Sequence, residues 1–550
     1  QGFQQPLYNF IFTPGCTDSL ALNYDANALI DDGSCLYNVS GCTAQLANNY
    51  NPYATIDDGT CLYSPFIFGC TDSTALNYNP LATVDDSSCC SNTSALWNQI
   101  GNDIDGEAAG DISGSSVSIS SDGNTVAIGA QDNDGVGWQA GHVRIYNYNG
   151  SSWYQLGNDI DAEAPMDNSG YSVSLSSDGM IVVIGAPGND GTAADAGHVR
   201  IYEFSNGSWN QLGQDIDGEA GGDDSGVFVS ISDNGSIIAI GAHQNDGNGN
   251  ASGHTRIYNW NGSNWVQLGN DIDGEAAGDN SGYSVSISSD GSIVAIGARY
   301  NNGNGASSGH VKIYNYNGAS WNQIGQDIDG EAALEENGQS VSLSSDGNTV
   351  AIGAYGNITI GGTGYVKIYN YNGTSWTQVG QDIDGEAAYD VGGWSVSLSS
   401  DGNTVAIGAG ENDGNGSNAG HVRVFTYNGS SWNQIGNDID GEAAGDMSGH
   451  SVSLSSDGGI VAIGATNNDG NGTDAGHVRV YGTSTPCNDL GCLDPLALNF
   501  DPNATVNDST CVYPLYGCLD PLALNYNILV NLSDSSCTYC INDTSISNIT

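Results

Sequence analysis

Residues 97–130 read WNQIGNDIDGEAAGDISGSSVSISSDGNTVAIGA, and after a loop residues 141–150 read GHVRIYNYNG. This sentence is written seven times. Its leading tryptophans are Trp97, Trp153, Trp209, Trp265, Trp321, Trp376 and Trp432, spaced 56 residues apart at every step but one, which is 55. A fixed period of that size marks a repeat architecture in which each unit is one supersecondary element.

Each unit offers four strands. S-V-S-[IL]-S alternates small polar with apolar residues, as at Val117 and Ile119. Asp122-Gly123 follows as a tight turn, because Asp-Gly tolerates the positive φ that hairpins need. V-A-I-G-A at 126–130 is small and apolar, suited to a crowded interior. H-V-R-I-Y at 142–146 is the third strand. An Asn149-Gly150 turn leads to a fourth at Trp153. Four antiparallel strands per unit, seven times over, predict an all-β, seven-bladed β-propeller at 97–481.

The phase of the array strengthens that reading. It begins at Trp97 on a fourth strand and stops at Tyr481 on a third. The last blade therefore lacks its outer strand, and the orphan strand at Trp97 can supply it. That closes the ring and removes an open edge.

The propeller is flanked by small cysteine modules at 15–37, 41–63 and 69–90 before it, and at 491–513 and 517–540 after it. An N-terminal segment, 1–14, and a C-terminal tail, 541–550, complete the chain. In every module two cysteines stand 19 apart. Units this small cannot bury an adequate core and need a staple. The expected pairs are Cys16–Cys35, Cys42–Cys61, Cys70–Cys89, Cys492–Cys511 and Cys518–Cys537, with crossed pairing between neighbouring modules as the alternative. Cys90 and Cys487 bracket the array, so a Cys90–Cys487 bond would lock the ring. Cys540 is left unpaired or intermolecular.

Two sets of acids suggest Ca²⁺, which takes clustered oxygen ligands. One is the Asp-Ile-Asp-Gly-Glu segment joining blades: Asp103, Asp105, Glu107 and Asp111, with Asp271, Asp273, Glu275 and Asp279 as equivalents. The other lies in the first module: Asp18, Asn23, Asp31 and Asp32. The competing reading is turn capping, to which Asp and Asn are equally suited.

Seven of the eight basic residues share one repeat position: Arg144, Arg200, Arg256, Lys312, Lys367, Arg423 and Arg479. Such placement predicts a structural ion pair with a repeated acid, the Asp-Ile-Asp-Gly-Glu segment being the source. A ring of cations gripping an anion is the alternative. The histidines heading the third strands (His142, His198, His254, His310, His421 and His477) are spread around a ring and cannot converge on one metal. The tryptophans read as outer-strand packing rather than sugar platforms. Asn-x-Ser/Thr sequons are many, but so are Asn, Ser and Thr.

The G-x-S-V-S-[IL]-S-x-D-G-x-x-V-A-I-G-A segment, followed by G-x-V-x-[IV]-Y, resembles the FG-GAP repeats of integrin α-subunit propellers. The resemblance covers 97–481. It departs in two places: the long calcium loop between the first two strands is replaced by S-S-D-G-N-T, and Gly-Ala-Pro survives only at Pro187. The cysteine modules resemble those of large secreted surface proteins of marine bacteria, which implies export and display rather than a reaction.

Composition bounds the function. With 63 Asp+Glu against 8 Lys+Arg, the formal charge is −55, which repels nucleic acid and anionic membranes. No apolar run is long enough to span a bilayer. Thirteen recurrent cysteines and a chain beginning at Gln1 suggest a mature, secreted protein in an oxidising compartment. Seven near-copies with short loops offer no nucleophile–base pair, so a secreted hydrolase or lyase is disfavoured. The deviations, Ala162 to Met166, the loop from Tyr355 to Gly364, His243, Arg299 and His450, look isolated along the chain. The expectation is a non-enzymatic, extracellular structural or adhesive protein of a cell surface or appendage, self-assembling into a homopolymer. The alternative is a lectin-like propeller whose partner is a surface glycan or protein.

Overall fold

The computed structural model describes residues 14–36 except Tyr24, residues 96–484 except Asn357, and a few short stretches between and beyond. It divides into two units, 94–485 on the one hand and 1–93 with 486–550 on the other. Among the described residues there is no α-helix, only one 3-10 turn at Ile358–Ile360, and no helix long and apolar enough to cross a membrane.

The larger unit is a seven-bladed β-propeller. In the first blade the order is Ser113–Ile119, Thr125–Ala130, His142–Tyr148 and Trp153–Gln155, each strand antiparallel to the next. The ring closes as its permuted start predicted. Leu96–Gln99 pairs with the last third strand, His477–Ser484, placing Leu96 opposite Ser484 and Gln99 opposite Tyr481.

One element differs from expectation. The Asp-Ile-Asp-Gly-Glu segment begins as a fifth strand rather than a loop. Ile160–Asp161 pairs with the start of its own blade's third strand, His142 opposite Asp161. The outer edge is thus one strand broken in two at Gly157-Asn158, where Gly157 has φ +81°. Gln155 bridges the break by donating from Nε2 to Asp159 Oδ1 at 2.5 Å.

The core lies between blades, not within them. A representative cluster joins Val117, Ile119, Val126 and Ile128 of the first blade to Val478 and Val480 of the last, all buried. Full burial of such a side chain contributes roughly 2 kcal/mol, and the arrangement recurs at all seven junctions. Close backbone approach explains the invariable Gly-Ala. A Cβ on Gly129 would stand 1.9 Å from the carbonyl oxygen of Gly170 in the next blade.

The serines of S-V-S also join blades. Ser116 Oγ donates to the Gly170 carbonyl at 2.8 Å, and Ser118 Oγ accepts from the Leu175 amide at 2.9 Å. Every repeat tryptophan does likewise with its indole: Trp153 Nε1 donates to the Ile100 carbonyl at 2.7 Å, and Trp97 to that of Ile435 at 2.9 Å. The tryptophans are packing residues of the blade junctions.

In the smaller unit, the first module has a parallel pair, Pro14–Gly15 with Ile30–Asp31, and a Cys16–Cys35 disulfide. The same two-residue pairing, in the same place relative to the first cysteine, recurs in all four other modules. Their cysteines, Cys90, Cys487, Cys540 and residues 1–13 lie outside the described residues.

Candidate functional site

All seven inner strands contribute to one cavity of about 310 Å³, which therefore lies on the axis of the ring. Its wall is where the copies stop resembling one another. The residue between Ser-Gly and Ser-Val on each inner strand is in turn Ser115, Tyr171, Val227, Tyr283, Gln339, Trp394 and His450. All but Val227 line the cavity, and in that blade Phe228 takes the place of the usual serine and lines it instead.

Two further variable columns meet the same rim. The residue after Gly-Ala supplies His243, Arg299 and Tyr355. The residue before Ser-Gly supplies Asp224 and Glu336, and its backbone lies at φ between 53° and 58° in every blade, including β-branched Ile112 and Val391. A left-handed backbone at a β-branched residue is strained, and such strain persists only where surrounding structure enforces it.

These groups touch. The Arg299 guanidinium lies 3.7 Å over the Tyr283 ring and 4.4 Å from that of Tyr300. Its Nη1 donates to Gln339 Oε1 at 2.8 Å and stands 4.0 Å from Glu336. The His243 ring meets Tyr283 edge-on at 5.6 Å, and Tyr283 packs on Phe228 at 5.4 Å. Across the axis Trp394 stacks between Tyr355 and His450, 5.4 Å from each. Residues that look isolated in sequence, His243, Arg299 and His450, are thus brought to one rim.

Burial and charge tune the rim. Desolvation, then the Arg299 charge, lowers the His243 pKa to about 4, so its ring is neutral at pH 7. His450 is lowered by burial. Burial, with Asp195 and Asp223 nearby, raises Asp224 to about 6. Burial raises the phenols of Tyr171 and Tyr355 to about 12, the latter helped by Glu411. Nδ1 of both His243 and His450 is buried without a hydrogen-bond partner. At the rim there are aromatic faces, one guanidinium, neutral imidazoles and serine hydroxyls. The other ring nitrogen of His243, Nε2, meets Gln244 Nε2 at 3.0 Å.

The predicted calcium ligands are divided among different places. Asp103 and Asp105 gather near His477 of the last blade, while Glu107 meets His142 and Asp159 of the next. Asp111 is buried and committed, accepting from the Ala108 amide at 2.9 Å and from Asn133 Nδ2 at 3.1 Å. Asp279 is committed in the same way to Ala276 and Asn301, while Asp271 and Glu275 meet different histidines, His254 and His310. Asp273 pairs through its backbone with His254. In the first module Asp18, Asp31 and Asp32 accept from the amides of Leu20, Gly33 and Ser34, and Asn23 bridges Ser34 and Leu36.

The repeated cations clamp neighbouring blades. Arg144 Nη2 donates to the Asp105 carbonyl at 2.7 Å, and Nη1 stands 3.7 Å from Glu107, both on the preceding blade's edge. Arg200, Arg256, Arg423 and Arg479 repeat this with Glu163, Glu219, Glu386 and Glu442. Lys312 and Lys367 instead place the ammonium between two acids, Glu275 with Asp327 and Glu331 with Asp382.

No family model matches this chain, and no curated protein does. Among solved structures, the chain is similar to one from Bacteroides uniformis described as a candidate 6-phosphogluconolactonase. The identity is 14% and the TM-score 0.43, over 60% of this chain and 85% of that one. The match is too distant to bear on what this chain binds or does.

Proposed function

We propose that this protein is a non-enzymatic recognition propeller, displayed outside the cell, that binds its ligand at the axial rim. The observation that carries the reading is that one variable column lines the cavity while residues of two further variable columns pack against it. Seven copies that agree nearly everywhere else differ where Tyr171, Tyr283, Gln339, Trp394 and His450 face the axis. A purely structural ring has no use for six residue types at seven equivalent positions. An asymmetric ligand does.

The chemistry favours a glycan, or a sugar-like end of a larger partner. Aromatic faces stack on sugar C–H surfaces, while Gln339, Arg299 and the serines supply hydrogen bonds to hydroxyls. Arg299 adds a preference for an anionic substituent, since it is the one cation at the rim of a strongly acidic chain. An adhesive role for such a propeller and the resemblance to FG-GAP propellers fit the same reading.

Binding to a glycan array, read for the wild-type chain and for Trp394→Ala and Arg299→Ala, tests it. The expected result is selective binding to a small set of glycans, lost in both variants. No binding, or binding unchanged by both substitutions, refutes the reading.

A further inference from the structure

We infer that five of the blade junctions are binding sites for a divalent transition-metal ion, each held by one buried imidazole and the carboxylates gathered around it. The junctions are those of His142, His198, His254, His421 and His477, and they are independent of the axial rim.

At the first of these, Glu107, His142 and Asp159 bring their ligand atoms within 4.8 Å of one another, and so do Glu163, His198 and Asp215 at the next. The glutamate comes from the edge of the preceding blade. The histidine and aspartate belong to the following one. The sequence reading that these histidines cannot share one metal holds for a single ion. It overlooked that each has its own acids close by, drawn from the blade edges that meet at its junction.

Three observations point to an ion rather than to a chance gathering of acids. The first is spacing. His142 Nδ1 stands 4.0 Å from Glu107, His254 Nδ1 4.0 Å from Glu219, His421 Nδ1 3.9 Å from Asp438, and His477 Nδ1 4.0 Å from Asp103. These gaps are too long for hydrogen bonds. They are about half an ångström wider than the roughly 3.4 Å between two ligands of a tetrahedral ion held at about 2.1 Å, so an ion would draw the imidazole and carboxylate slightly together.

The second is an unmet need. His198 is 1% exposed, and neither of its ring nitrogens has a hydrogen-bond partner. A buried imidazole left so is costly. One of its nitrogens belongs to the Glu163–Asp215 group, and an ion there would satisfy that one.

The third is what the two remaining junctions do. Where the repeat has lysine, its ammonium reaches between the glutamate and the aspartate, as Lys312 does with Glu275 and Asp327. At Lys367 the histidine itself is replaced by Tyr365, whose hydroxyl donates to Glu335 at 2.9 Å. The gap between the carboxylates thus takes a cation. Arginine cannot fill it, because its Nη2 is anchored on a backbone carbonyl and only the glutamate lies within reach. Arginine junctions leave the gap open beside a histidine. At Lys312 the same three groups, Glu275, His310 and Asp327, gather as closely as elsewhere, but the ammonium already sits between the two acids.

An imidazole with two carboxylates selects Zn²⁺, Co²⁺ or Ni²⁺ over Ca²⁺, which prefers six or more oxygens. The test uses the full chain, stripped with chelator and titrated with Co²⁺ alone, read by visible absorption and bound-metal analysis. Oxygen–nitrogen coordination distinguishes these sites from any thiolate site, which gives intense sulfur-to-cobalt bands. The expected result is about five ions per chain, falling by one in His198→Asn and by one in His142→Asn. In Lys312→Arg it rises by one, because His310 then faces an open gap. Urea midpoints of the stripped proteins show that the variants fold. No Co²⁺ bound by oxygen and nitrogen, or a stoichiometry unmoved by both histidine substitutions, overturns the inference.

Discussion

The guanidinium of Arg299 lies 3.7 Å over the ring of Tyr283, and the same side chain donates to Gln339. Arg299 directly follows the second strand of its blade, Ile293–Ala298, while Tyr283 and Gln339 are on inner strands of successive blades. The stack fixes a cation beside the axial cavity, where attraction to an aromatic face adds about 1–2 kcal/mol once partly desolvated. Arg299→Ala is expected to weaken ligand binding at least tenfold and to leave the far-UV spectrum unchanged. Arg299→Lys should recover only part, because an ammonium lacks the planar fork. Titration of each variant with the glycan selected on the array checks both.

Acid should destabilise the propeller through its axial histidines. The folded-state pKa of His243, about 4, lies below its ordinary value of 6.5. Its contribution is therefore fully present above about pH 6.5 and is lost as pH falls toward 4, on the order of 3 kcal/mol in all. His450 acts with the same sign. Asp224, 3.9 Å from His243, works the other way: raised to about 6, it disfavours the folded state as pH climbs from 4 through 6. Denaturation midpoints between pH 4 and 7.5 should fall on acidification. His243→Asn should flatten that fall and Asp224→Asn should steepen it.

Backbone contact between blades predicts a sharp contrast between two glycines. Gly129→Ala puts a methyl 1.9 Å from the Gly170 carbonyl and is expected to cost about 3 kcal/mol, the upper range for overpacking. Gly410→Ala meets nothing closer than 3.7 Å and should be neutral. Thermal melts of the two proteins side by side decide it.

Closure rests on Trp97. Its indole packs in the last junction against Ile435 and Tyr481 and donates to the Ile435 carbonyl. Trp97→Ala should cost about 3–5 kcal/mol. It should also free the Leu96–Gln99 strand first, so that proteolytic nicking near residue 96 precedes global unfolding. Equal resistance of variant and wild type at that site counts against the closure strand as the weak point.

The fold was legible because repetition amplifies each weak signal sevenfold. One Asp-Gly turn is ambiguous, but six of them and one Asn-Gly, Asn234-Gly235, in register with Asp122-Gly123 are not. The pairing of Arg144 with the Asp-Ile-Asp-Gly-Glu segment was legible for the same reason. The axial rim was hidden by that same strength. Its residues occur once per unit, so Tyr283, Arg299 and His450 look like scatter in a sequence read along its length. The signal was in the columns: aligning the copies and asking where they disagree isolates the rim. The broken outer strand was missed because Ile160–Asp161 is too short to show a period. The histidine clusters were missed because their acids come from two blades, and the neighbourhood of a strand head is set by ring geometry.

Leu96 faces Ser484 across the last pair of strands. The chain therefore enters and leaves the propeller at adjoining points. Tension applied through the two flanking segments would cross the ring by that one pair, running past the other six blades instead of through them. Opening it would be unzipping, one hydrogen-bonded pair at a time, at a force well below that needed to shear a sheet. The head would yield first at its seam and release the long loop of blades as slack, so that a pulled molecule lengthens before it lets go.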